Sequence, residues 1–319
     1  MNIVNFEKEH IEEAMAIALA NYHEERQAVK VLPQLNAVPD LSEFAENGLG
    51  VAAFENGKMV GFLGCYRPWD GAFGSTARGT FSPIHAHGTV PENRERIYQR
   101  MYQAAAEKWI AQRITYHAIA MYAHDEVALR ALFMYGFGAR CADAIRPMED
   151  LTCSPLPEME LRALPKEEIA KIREMRKQLS DHMGSSPCFM CSRQQEFDEW
   201  LVRAEKRDSV VYVAERNQKS IAFIEVTEDG ENFVTEVDSM KNICGAYCLP
   251  EYRGTGVFAG LLNYVISQLK AQGVMQLGVD YESINPTAHG AWGKYFTPYT
   301  RSIVRRVEEC ALSSVENQE

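Results

Sequence analysis

The 319-residue chain has no apolar run of the roughly 18 residues that a membrane-spanning helix requires. Positive charge is also in short supply. Lys and Arg total 33 against 44 Asp and Glu, a formal net charge of −11, and the acids are scattered along the chain. That balance argues against general affinity for nucleic acid or for an anionic membrane, and it suits small cationic substrates as well as plain solubility. The opening Met1-Asn-Ile-Val-Asn-Phe-Glu-Lys-Glu-His10 carries acids where a secretory leader has basic and then apolar residues, so a cytoplasmic protein is expected. The 8 cysteines show no regular spacing, which excludes a disulfide framework. Cys188-Phe-Met-Cys191 has no second CxxC to complete a zinc site, and His85-Ala-His87 has no evident third ligand; no metal is expected.

The length favours two domains. In the first half, apolar spacing predicts a strand over 2–6, a helix carrying Ile11, Ala14, Ile17 and Ala18, and strands over 51–54 and 59–64 around Asn56-Gly57. A strand over 80–87, a long helix over 94–112, a strand over 114–122, a helix over 125–135 and a closing strand over 137–148 follow. Residues 149–158, with Pro155 and Pro157, read as a linker. The order then restarts: strand 160–163, helices 166–179 and 195–206, strands 210–215, 220–226, 232–238 and 243–248, helix 254–272, strand 275–281 and a short helix near Asn285. Pro91-Glu-Asn-Arg94 matches Pro250-Glu-Tyr-Arg253, and Phe6-Glu-Lys-Glu9 matches Leu164-Pro-Lys-Glu167 at nearly the same offset. A mixed order repeated twice calls for two α+β domains of similar fold.

The stretch Leu249-Pro-Glu-Tyr-Arg-Gly-Thr-Gly-Val-Phe-Ala-Gly-Leu-Leu262 is a turn entering an amphipathic helix. A helix N-terminus offers unpaired N–H groups and partial positive charge, Gly254 and Gly256 let an anion approach the backbone, and Arg253 adds a cationic fork. A pyrophosphate site is one reading; a plain glycine turn before a core helix is the other. No Gly-Lys-Ser/Thr follows, and no third glycine is placed for a dinucleotide fingerprint.

Arg253 and Gly256, after a strand and opening a helix, resemble the acyl-CoA loop Arg/Gln-x-x-Gly-x-Gly/Ala of the GNAT superfamily of acetyl-CoA-dependent N-acetyltransferases. Phe258 departs from the final small residue. Asn285-Pro-Thr-Ala288 resembles the family's later Asn-x-x-Ala segment. In the first half, Asp125-Glu-Val-Ala128 followed by Tyr135-Gly-Phe-Gly138 resembles the span from that segment to Gly-Phe. The resemblance implies two tandem GNAT-like domains, each a mixed, mostly antiparallel sheet flanked by helices: a degenerate one over 1–150 and one with the acyl-CoA loop over 159–310. It further implies acetyl-CoA as cosubstrate. Strands near Gly245 to Leu249 would splay from the next strand, and the backbone at Tyr247, Cys248 and Leu249 would hold the pantetheine arm. The amides of Gly254, Thr255, Gly256, Val257 and Phe258, with Arg253, would cradle the pyrophosphate, and Asn285 would lie beside the thioester. In the first half Glu95 and Ile97 stand where Gly254 and Gly256 do, so that half is expected not to bind CoA in the usual way. Support, a wall of the cleft or homodimerisation is its expected role.

Acetyl transfer to an amine requires a base for the amine, a donor for the oxyanion and an acid for the leaving thiolate. In the family the acid is often a Tyr seven residues after the Asn, and here that position is Trp292. Tyr295 is the expected substitute, with Tyr299 next. Glu225 and Glu282 are the expected bases, and Glu236, Asp238 and Asp280 are further strand acids. Cys244 and Cys248 are expected to be packed thiols, since direct transfer needs no acyl-enzyme. The expected function is acetylation of a small-molecule or peptide primary amine. A non-catalytic acyl-CoA-binding protein and, more remotely, a nucleotide-binding module are the alternatives.

Overall fold

The computed structural model describes residues 1–154, 156 and 158–312; Pro155 and Pro157 of the expected linker lie outside the described residues. Up to residue 147 the elements are β1 (Asn2–Asn5), α1 (Ile11–Ala28), α2 (Ser42–Glu46), β2 (Val51–Glu55), β3 (Lys58–Leu63), β4 (Gly79–Ser82), β5 (His87–Thr89), α3 (Arg94–Ala111), β6 (Tyr116–Tyr122), α4 (Glu126–Phe133) and β7 (Gly138–Pro147). Next come β8 (Glu160–Leu164), α5 (Arg173–Gly184), α6 (Gln194–Lys206), β9 (Ser209–Arg216), β10 (Lys219–Thr227), β11 (Met240–Cys248), α7 (Val257–Ala271), β12 (Gln276–Glu282), α8 (Pro286–Trp292), β13 (Thr297–Pro298) and β14 (Thr300–Arg306). None of these helices is long and apolar enough to cross a membrane.

The chain divides into two units, Met1–Ala142 with Pro298–Glu319, and Asp143–Thr297. In the first, β1, β2, β3 and β5 form an antiparallel sheet, while β4 and β6 run parallel. β14 belongs to this unit although its sequence follows the second half. All of Thr300 to Arg306 pairs antiparallel with β6, and Ser302 to Val304 pair with the start of β7. The reason is packing: Ile303 joins the core built by Ile97, Met101, Trp109 and Ile119, and the Arg305 guanidinium donates to the Tyr102 hydroxyl at 3.1 Å.

In the second unit β8, β9, β10 and β11 are antiparallel neighbours, and β11 and β12 are parallel. Val257, Leu261, Val265 and Leu269 recur at helical spacing and are buried, which seats α7 on this sheet.

Four expectations change in detail. The strand expected over 80–87 is two strands split by a turn at Pro83, which has no N–H for a ladder. The strand expected over 232–238 is a 3-10 turn, because Asn232 Oδ1 accepts from Val234 N–H at 3.1 Å and closes the backbone locally; Glu236 and Asp238 are therefore exposed turn residues. Residues Lys166–Ile172 form a 3-10 segment before α5, with Ile169 and Ile172 buried at the three-residue spacing that such a helix stacks. Finally, α7 starts at Val257 rather than at Gly254.

Candidate acyl-CoA cleft

The site in the second unit starts from a sheet defect. β11 and β12 pair only from Met240↔Gln276 to Ile243↔Val279, and both strands continue beyond. A register shift between Glu225 and Val226 of β10 leaves Cys244 as the extra residue of β11. The strands part here, so the β12-facing backbone of residues 244–248 has no ladder partner on that side.

β11 then leads through Pro250–Tyr252, a single 3-10 turn, to the glycine loop. Gly254 (φ 76°) and Gly256 (φ 92°) both lie in the left-handed region that L-residues avoid. The first bond of α7 runs from Gly260 N–H to Gly256 C=O at 2.9 Å, so the first-turn amides of Val257, Phe258 and Ala259 have no helical acceptor. Arg253 Nε donates to the Cys248 carbonyl at 3.0 Å and its guanidinium lies 5.3 Å from the Tyr247 ring centroid, which ties the loop to the strand end.

Asn285 caps α8, its Oδ1 accepting from Thr287 N–H at 3.1 Å and Ala288 N–H at 3.4 Å. The same oxygen is 3.3 Å from His182 Nε2, and Asn285 Nδ2 is 3.4 Å from Met183 Sδ. The last turn of α5 therefore closes one side of the site. Burial first, and the Glu225 charge second, push the Cys244 thiol up to about 11. Burial likewise takes Cys248 up to about 11, so both remain protonated and unsuited to nucleophilic attack.

These elements enclose a cleft of about 380 Å³. Its lining brings together Tyr247, Cys248, Arg253, Gly254, Gly256, Phe258, Asn285 and Tyr295 from the expected set. Leu249 and Val257 are buried beside it, and Thr255 is exposed on the loop. Among the described residues, the lining contains no Asp or Glu, in a chain of net charge −11. Sequence reasoning missed His182, whose Nε2 faces Asn285, and Lys294, which adds positive charge to the wall. Phe258, the departure from the small-residue pattern, packs edge-on against Trp292 with centroids 5.3 Å apart. The two unexpected aromatics thus fill each other's space.

The remaining expected residues lie elsewhere. Glu225 is a buried structural partner: its Oε2 accepts from Arg176 at 2.7 Å and its Oε1 from Ser209 at 2.7 Å, with the Arg176 and Glu225 side chains 1% and 3% exposed. Glu282 ends β12 outside the lining, and Tyr299 is buried in the first unit.

In the first unit the stretch that echoes the loop is occupied by its own side chains. β4 pairs with β6 along its whole length, and the chain then turns at Pro83 into β5, which pairs with β3. There His87 Nε2 sits 2.6 Å from the Ala120 carbonyl and Nδ1 2.9 Å from the Tyr98 hydroxyl. A carbonyl only accepts, so Nε2 carries the proton and Nδ1 accepts from Tyr98. The loop itself is wound into helix: α3 begins at Arg94, and Ile97 N–H bonds Asn93 C=O at 3.0 Å. Ile97 packs so closely that a Cβ on Gly61 would lie 2.8 Å from its Cγ2. Arg94 turns inward, with Nη1 3.0 Å from Asp125 Oδ2 and Nη2 3.0 Å from Glu24 Oε1. Glu95 pairs with Arg130 at 2.7 Å.

Burial holds His87 at about 4, and likewise His85 and His117. Folded values below the ordinary one mean that the unfolded chain protonates first. Stability should be fully present above about pH 6.5 and be lost as pH falls toward about 4. Chemical denaturation of the first unit, followed between pH 7 and 4, checks this, and a midpoint independent of pH would contradict it.

Residues 173–296 match the model of the Acetyltransferase (GNAT) family, whose members are acyltransferases. The fold of most of the chain is that of GCN5-related N-acetyltransferases. The solved structure of one such protein from Sphaerobacter thermophilus superposes with a TM-score of 0.57 at 13% identity, over 96% of this chain and 96% of that one. A GCN5-related glucosamine N-acetyltransferase region of a fungal multi-domain GH3 beta-N-acetylglucosaminidase superposes with a TM-score of 0.51 at 12% identity, over 96% of this chain and 38% of that one. No curated protein matches the sequence.

Proposed function

We propose that the protein is an N-acetyltransferase that moves an acetyl group from acetyl-CoA to a primary amine by direct attack, with the active site in the second unit. One observation carries this reading: parted strands and a left-handed glycine turn open onto a cleft without carboxylates in an otherwise acidic chain. Acetyl-CoA fits the residues present. A polyanionic head meets the free first-turn amides, Arg253 and Lys294, and an extended amide arm runs along the parted end of β11 at Tyr247, Cys248 and Leu249. Tyr295, in the lining, is the proton donor to the departing sulfur in place of the Tyr that Trp292 replaces. The degenerate domain of residues 1–150 does not take acetyl-CoA and serves as support.

Release of free thiol from acetyl-CoA, measured over polyamines, amino sugars and peptides, tests the reading. Turnover with at least one amine is expected. Tyr295→Phe should lower kcat by roughly 100-fold, the lower range for general acid catalysis, with acetyl-CoA affinity unchanged. Binding without turnover on any amine would favour a non-catalytic acyl-CoA-binding protein instead.

A further inference from the structure

We propose that Asp280 is the group that takes the proton from the incoming amine, an assignment that rests on the acetyl-transfer reading above. Asp280 is the first residue of β12 beyond the last parallel pair, Ile243↔Val279, and so stands at the apex where the strands part. The residue next along β11 from that pair is Cys244, the extra residue of the bulge. Asp280 is also the one exposed residue of β12, flanked by the buried Val279 and Tyr281. Asp280 lies outside the lining of the cleft itself, and a carboxylate open to solvent at the mouth of the strand split is placed to meet an amine arriving from outside. The other acids are less well placed. Both oxygens of Glu225 are engaged by Arg176 and Ser209, and Glu282 lies two residues further from the apex.

The ionisable groups around Asp280 come from several elements: Glu231 before β11, Asp143 on β7, Glu282 on its own strand, and the neutral Cys244 thiol and the Arg207 guanidinium within electrostatic reach. The residue keeps surface in contact with solvent, while the protein atoms packed around its carboxyl oppose ionisation. Poor solvation there, and then Glu231, Asp143 and Glu282, push its carboxyl up to about 7. A base with that proton affinity is deprotonated in part at neutral pH and still binds the amine's proton well.

The step balances. The ammonium gives one proton to the Asp280 carboxylate, which freed of substrate returns it to water. The amine nitrogen forms its bond to the acetyl carbonyl carbon as the C–S bond breaks, and the sulfur leaves with the Tyr295 proton. The second amine proton restores Tyr295.

Asp280→Asn keeps the shape and removes the base. In thiol-release assays on the full chain, kcat/KM at pH 7.5 should fall by about 100-fold or more. The acid limb of the wild-type pH profile, near pH 7, should disappear, while acetyl-CoA affinity stays at the wild-type value. Glu231→Gln should move the limb to lower pH, because removing a neighbouring carboxylate eases ionisation of Asp280. An Asp280→Asn protein that keeps the wild-type rate and limb, or that loses acetyl-CoA affinity along with its rate, overturns the assignment and leaves acetyl transfer standing. A wild-type protein that binds acetyl-CoA and acetylates no amine overturns the reading beneath it.

Discussion

Gly256→Glu weakens acetyl-CoA binding by at least about 100-fold while the second unit stays folded. Gly256 sits at φ 92°, and among the described residues no atom beyond its chain neighbours lies within 4 Å of where a Cβ would stand. The substitution therefore meets no clash; it meets a backbone conformation that disfavours an L-residue by roughly 1–2 kcal/mol. The larger effect is electrostatic. A carboxylate about 5 Å from a pyrophosphate charge, at an effective dielectric constant near 20, is repelled by about 3 kcal/mol. Gly256→Ala separates the two contributions, because it carries the backbone strain without the charge. Calorimetric titration of both variants, with thermal melting to confirm folding, checks the expectation. Undiminished affinity in Gly256→Glu would remove the loop from the binding site.

Deleting Pro298–Glu319 abolishes cooperative folding of the first unit, although residues 1–142 are untouched. The deletion removes β14, leaving β6 without its antiparallel partner from Tyr116 to Tyr122 and the start of β7 without its neighbour. It also empties the core position of Ile303, which is 5% exposed. Losing a buried Ile alone costs about 2–5 kcal/mol, and the lost ladder bonds add to it. Hydrogen exchange at β6 amides reports the outcome. Ile303→Asp in the full chain gives the same test without truncation, since an unpaired charge would be forced into the core. Native protection of β6 in both variants would contradict the described packing.

The glycine loop was legible in sequence because its physical requirement, positive φ at two positions, leaves few residues besides Gly. The helical course of its echo was legible for the converse reason: Glu95 and Ile97 can continue a helix, and α3 runs straight through them. What filled the space was not legible. That Arg94 turns inward to Asp125 and Glu24, or that His87 reaches from β5 to Ala120 of β6, depends on residues 30 or more positions apart meeting in space. β14 escaped notice because Thr-Arg-Ser-Ile-Val-Arg-Arg holds only two apolar residues among three arginines, a pattern that reads as a solvated tail. Asp280 was visible as one strand acid among five. Only the register of β11 against β12 places it where the ladder ends.

Isothermal titration of the full-length chain with acetyl-CoA tests the central claim most directly, that one half holds the cofactor and the other is closed by its own side chains. The account predicts one site per chain, abolished by Gly256→Glu. Two sites per chain, or one site that survives Gly256→Glu, would contradict it.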